Sequence, residues 1–289
     1  MAIRPRSVAA SLVLFVFVTA TGGTARALDK QGSAHGGAAA GVDESGFGVS
    51  GALMLGVSLK NDSYAARPDN SGLALMRYAA HADVDVIGRK LSFPIDINMF
   101  SDKQQEGLAK LRPSELDLIA GVTTTWDAGP GAVEVGARVE HDRPVDQEGK
   151  SQTYGDVRGR YLFSLAQLSP GFADRFPHTN VTGWATLGWF AYNKTYYARP
   201  DNTGLALFRY ALHSELALLD GHLAFALDAT FFTDKQAENV VRPSELDLTP
   251  EIITRFDRFE VHLAYEHDRP LDTDTLVQSF VYLLAAWGF

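Results

Sequence analysis

From residue 47 onward the chain alternates apolar and polar positions with a period of two. Val133, Val135, Ala137 and Val139 interleave with Glu134, Gly136, Arg138 and Glu140. Leu91, Phe93, Ile95, Ile97 and Met99 interleave with Ser92, Pro94, Asp96, Asn98 and Phe100. Leu116, Leu118, Ala120 and Val122 do the same against Asp117, Ile119, Gly121 and Thr123. Because successive strand side chains point to opposite faces, such windows predict strands with one apolar and one mostly polar face. Twelve windows emerge: 47–60, 73–86, 91–101, 115–126, 132–141, 152–163, 181–192, 205–219, 222–232, 245–256, 259–267 and 276–289. The stretch from Tyr210 to Leu227 also fits a helix, but the corresponding earlier stretch alternates better, which predicts strand.

Short turns alternate with longer polar connections. Gly88–Lys90, Asp127–Gly131, Asp220–His222 and Asp257-Arg258 are short. Residues 61–72, 101–114, 142–151, 193–204, 233–244 and 268–275 form the long set, and 167–180 joins the two halves on the short-turn side.

The sequence also repeats itself. Tyr64-Ala-Ala-Arg67-Pro68-Asp69-Asn70 returns as Tyr196-Tyr-Ala-Arg199-Pro200-Asp201-Asn202, and His81 returns as His213. Asp102-Lys103-Gln104 returns at Asp234, Arg112-Pro113-Ser114-Glu115-Leu116-Asp117 at Arg242, and Glu140-His141-Asp142-Arg143-Pro144 at Glu266. The period is too long for a solenoid, whose repeats run to roughly 20–50 residues. Two tandem domains would each need an apolar core, and the polar faces carry too much charge for that. The expectation is an all-β fold: one closed antiparallel transmembrane barrel of about 12 strands, its two six-strand halves spanning 47–165 and 181–289.

The first residues change where this barrel is expected. Arg4 and Arg6 precede an apolar run from Val8 to Val18, and Ala25-Arg26-Ala27 ends it as an A-x-A cleavage pattern. The run is shorter than the roughly 20 apolar residues that a membrane-spanning helix needs. Residues 1–27 are thus read as a cleaved signal peptide and the Gly- and Ala-rich segment 28–46 as a flexible lead-in. Removing Arg4, Arg6 and Arg26, and no acid, takes the formal charge from −9 to −12. That balance argues against a nucleic-acid partner, which calls for a basic face. Cysteine is absent, so no disulfide holds the chain.

The final strand alternates through Val281, Leu283, Ala285 and Trp287 to the terminal Phe289. With the leader, the even strand number and the alternating connections, this resembles the Gram-negative outer-membrane β-barrel class, porin-like and of about twelve strands. The resemblance covers nearly the whole chain after residue 27. It implies a bacterial outer-membrane location, contact with outer-membrane lipids, recognition of the Phe289 strand by barrel-assembly machinery and passage of small polar solutes.

Parity turns Arg77, His81, Asp83, Asp96, Asp117, Arg138, Glu140, Asp156, Arg158 and Arg160 toward the lumen. In the second half it does the same for Arg209, His213, Glu215, Asp228, Asp247, Glu251, Arg255, His262 and Glu266. These charges either pair and plug the interior or line a water-filled path. With Phe289 on the periplasmic side, Arg67, Asp69, Asp102, Arg112, Asp142 and Arg143 fall at the extracellular rim. So do Arg199, Asp201, Asp234, Arg242, Asp268 and Arg269. They would form a ligand collar or simply a stiff mouth, since Pro rigidifies these loops. Trp184, Phe190 and Tyr192 share inward parity, as a track for sugars or nucleosides or as packing, while Trp189 would face lipid.

Outer-membrane phospholipases resemble this layout in strand number and use a Ser/His/Asn site. Here His213 and Ser214 are adjacent in one strand and point to opposite faces, so they cannot act together. Asp272 and Asp274 lack convincing ligand spacing, and no cofactor or metal is expected. Three roles remain: a passive or solute-selective channel, a plugged barrel with a structural or surface role, and, weakest, a hydrolase.

Overall fold

A computed structural model describes residues 47–62, 75–87, 90–103, 111–145, 151–194, 207–235, 241–271 and 277–289. Twelve strands form the ring: β1 (Gly48–Asp62), β2 (Leu75–Asp85), β3 (Leu91–Lys103), β4 (Leu111–Ala128), β5 (Gly131–Pro144) and β6 (Gln152–Ser164), then β7 (Asn180–Lys194), β8 (Leu207–Leu218), β9 (Leu223–Lys235), β10 (Val241–Phe256), β11 (Phe259–Pro270) and β12 (Gln278–Gly288). Each pairs antiparallel with its chain neighbours, and β12 closes on β1. The stretch from Tyr210 to Leu227 is two strands, not a helix. The connection between the halves carries two short helices, α1 (Leu165–Leu168) and α2 (Pro170–Arg175).

The outward positions are apolar around the ring. Val139, Leu187, Leu212, Ile252 and Leu263 are among the large side chains left exposed there. Trp126, Phe256 and Phe259 gather near the short-turn end. A large apolar outer surface with aromatics toward its edges is the pattern of a sheet solvated by lipid.

Several strands run past their expected ends. The Arg112-Pro113-Ser114-Glu115 block lies in β4 and its copy in β10, not in loops. Asp102 and Asp234 are likewise strand residues, as are Asp142, Arg143, Asp268 and Arg269 at the ends of β5 and β11. Proline lacks the N–H that a ladder requires, which argues for a loop. Bulges remove that conflict. Phe100 pairs Glu115 and Ser101 pairs Pro113, leaving Ser114 over; Phe232 pairs Glu245 and Thr233 pairs Pro243, leaving Ser244 over. Within this paired region Asp102 is registered opposite Arg112, and Asp234 opposite Arg242. Residues 1–27 and 28–46, Arg67, Asp69, Arg199, Asp201, Asp272 and Asp274 lie outside the described residues.

The seam depends on a missing side chain. Gly51 N–H donates to the Phe289 carbonyl at 3.1 Å, and Phe289 N–H donates back to Gly51 at 2.9 Å. A Cβ at Gly51 would meet the Phe289 ring at 2.6 Å and press on the His81 carbonyl. Gly183 meets Phe163 in the same way, at 2.7 Å. Gly51→Val is therefore expected to lower stability by about 1–3 kcal/mol through overpacking. Thermal unfolding in detergent measures this, and an unchanged midpoint would contradict the role given to the glycine.

Candidate functional site: the lumen wall

Along the strands the inner face collects the charge, because a side chain that cannot face the apolar exterior must alternate inward. Opposite charges meet along the wall. His81 Nδ1 lies 2.8 Å from Asp96 and its Nε2 lies 2.9 Å from Asp83. At the equivalent place in the second half, His213 Nδ1 lies 2.9 Å from Asp228. Arg77 donates to Asn98 at 3.3 Å. Arg138 donates to Asp156 at 2.6 Å and stands 3.3 Å from Glu140, while Arg160 stands 3.3 Å from Glu134.

The densest network links β8, β10 and β11. Arg255 grips both oxygens of Glu215, at 2.8 and 2.7 Å, and donates through Nε to Glu260 at 2.9 Å. Glu260 also meets His262 Nε2 at 3.0 Å, and His262 Nδ1 meets Glu251 at 3.1 Å. The bidentate fork fixes the guanidinium plane as well as its charge. Asp117, Asp247 and Glu266 lie on the same inner side, and the last two border a cavity of about 270 Å³. That cavity is also bounded by Arg77, Arg209, Tyr282 and Leu284.

The inner wall differs between the halves. Asp156, Arg158, Arg160 and Trp184 line β6 and β7. Met54, Ala264, Phe280, Tyr282 and Leu284 form an apolar cluster on β1, β11 and β12. Sequence reading picked out most of these charges, because parity and charge carry that signal, but it did not name Glu134 or Glu260. It did not pick out Phe280 and Tyr282, which alternation placed on the same face as the charges.

The aromatics are not a continuous track. Trp184 is 1% exposed, stacks on His213 at 5.6 Å between centroids, and lies under Arg160 at 4.6 Å. Phe190 packs edge-on against Tyr154 at 5.7 Å. Tyr192 points outward, contrary to its parity. Gly155 pairs Tyr192 but Asp156 pairs Phe190, so Ala191 is an extra residue and the alternation slips. At 51% exposure Tyr192 belongs to the outer surface, with Trp189. At the rim, Asp142 and Asp268 are buried and Arg143 and Arg269 are exposed.

No protein-family model and no curated protein matches the chain. Solved structures similar to it include the NanC porin, at 9% identity over 82% of this chain and 98% of that one, with a TM-score of 0.49. An outer membrane channel from Pseudomonas putida F1 is 12% identical over 86% and 97%, with a TM-score of 0.46. The outer membrane channel DcaP of Acinetobacter baumannii is 9% identical over 84% and 97%, with a TM-score of 0.42.

Proposed function

We propose that this chain is a bacterial outer-membrane pore for small polar solutes, delivered by a cleaved leader and assembled through its Phe289 strand. One observation carries this reading: the ion pairs described above run along the wall, within a strand or between strands that are adjacent or one apart. His81–Asp96, Arg138–Asp156 and His213–Asp228 join adjacent strands, and Arg255–Glu215 joins strands one apart. Pairing of this kind neutralises charge locally and leaves the axis to water. Twelve strands spaced about 4.8 Å apart and tilted by roughly 40° give a backbone radius of roughly 12 Å. That leaves room for a polar path inside the side-chain layer, of which the 270 Å³ cavity is one part. A pore binds and passes solutes without altering them.

The expected result in planar bilayers is stepwise ohmic conductance from the purified chain. Silence at every voltage, with no solute flux from loaded vesicles, would instead favour a plugged barrel and overturn the proposal.

A further inference from the structure

On β6, β7 and β8 three inward positions fall in one row across the sheet: Arg158 registers with Gly188, and Gly188 with Arg209. Gly188 contributes no side chain, so a hollow separates the two arginines. A Cβ there would make only ordinary contacts, at 3.7 Å to the Cβ atoms of both arginines. The hollow has a volume of about 10 Å³, room for one water-sized group, and is walled by Asp156, Arg158, Arg160, Trp184, Thr186 and Arg209.

Arg160 donates to Thr186 at 3.2 Å, but three other donors around the hollow are unused. Trp184 is almost wholly buried, yet its Nε1 has no hydrogen-bond partner; the Nε atoms of Arg158 and Arg209 have none either. Asp156 is taken by Arg138 at 2.6 Å, though its second oxygen is unpartnered, and Arg160 stands by Glu134. Arg158 and Arg209 thus have no ion-pair partner among the described residues. Two half-buried cations that face one hollow without an ion pair call for a counter-charge.

The other half of the chain supplies a comparison. By the sequence repeat, Arg209 corresponds to Arg77, Gly188 to Gly56 and Arg158 to Leu284. Those three also form one row, Arg77–Gly56–Leu284. There the Leu284 side chain occupies the space above the glycine. The same backbone hollow is thus filled by an apolar side chain in one half and left open between two cations in the other.

We propose that Arg158, Arg209 and the Trp184 indole N–H form an anion seat on the lumen wall, sized for a halide or for one oxygen of a carboxylate or phosphate. This rests on the pore reading only in requiring that water reach the inner wall. It gives the pore a preferred stop for anionic solutes.

The test uses Trp184 as its own reporter. In the W126F/W189F/W287F chain, iodide is expected to quench Trp184 emission along a saturable curve. Arg158→Leu installs the side chain of the equivalent row, so it should weaken the apparent iodide affinity about ten-fold, the loss of one charge-assisted contact. Competition by chloride alone identifies a halide seat; competition by acetate or inorganic phosphate identifies an oxyanion seat. Linear, unsaturable quenching, or saturable quenching unchanged by R158L, would overturn the proposal. If the triple variant does not fold, crystals of the intact chain soaked in bromide decide the matter: an anomalous peak above Gly188 supports the seat, and none there refutes it. These readouts measure binding, so a silent bilayer would count against the pore without touching the seat.

Discussion

Replacing Arg255 with Met should lower the unfolding free energy by about 3 kcal/mol, at the low end of what breaking a buried pair costs because lumen water softens the effect. Among the described residues Arg255 alone binds both Glu215 and Glu260, whose side chains are 10% and 9% exposed. Removing the guanidinium leaves two carboxylates with little access to water. Glu260 keeps His262; Glu215 loses both of its 2.7–2.8 Å bonds. An abandoned buried charge costs more than the pair contributed, so the loss belongs mostly to Glu215. Adding Glu215→Gln to the Met variant should then restore a large part of the stability. Urea unfolding of the two variants in vesicles measures both effects. A loss near zero for Arg255→Met would mean that water fully screens this network.

Leu263→Arg should cost about 2–4 kcal/mol in a bilayer, the penalty for a cation at the lipid midplane. Leu263 sits midway along β11 on the outer face, registered between Ile252 and Leu283, both exposed and apolar. Hydrocarbon around this patch cannot solvate a guanidinium. The same change at Phe259, at the short-turn end of β11, should cost only about 0–1 kcal/mol, because headgroups and water are within reach there. The depth dependence is the diagnostic. Equal and negligible costs at both sites would show that the apolar face is not in contact with lipid.

The strands were legible because a side-chain period of two survives in each of them, and the face of each residue followed from parity. Parity fails where a residue is inserted. Ala191 reversed the orientation of Tyr192, and no residue type near it marks the bulge. Ser114 and Ser244 let β4 and β10 absorb proline blocks that resemble loops in sequence. Pairing was less legible still. Arg255 and Glu215 were each visible as inward charges, whereas Glu260 was not singled out, and their union depends on register and on reach across β9. The row Arg158–Gly188–Arg209 is likewise invisible until β6, β7 and β8 are aligned, since its residues lie far apart in the chain and its centre is a glycine with no chemistry of its own.

The seam between Gly51 and Phe289 has a kinetic consequence. Every other strand pairing in the ring joins neighbours in the chain, so eleven of the twelve contacts between strands are local and form quickly. The last one brings together strands from opposite ends of the ring, and until it forms, β1 and β12 are both naked edges. The slow, error-prone moment in the life of this protein is therefore one event at one place. A chain stalled there would present two adhesive strands to its neighbours, and anything that hastens closure would suppress aggregation without altering the finished barrel.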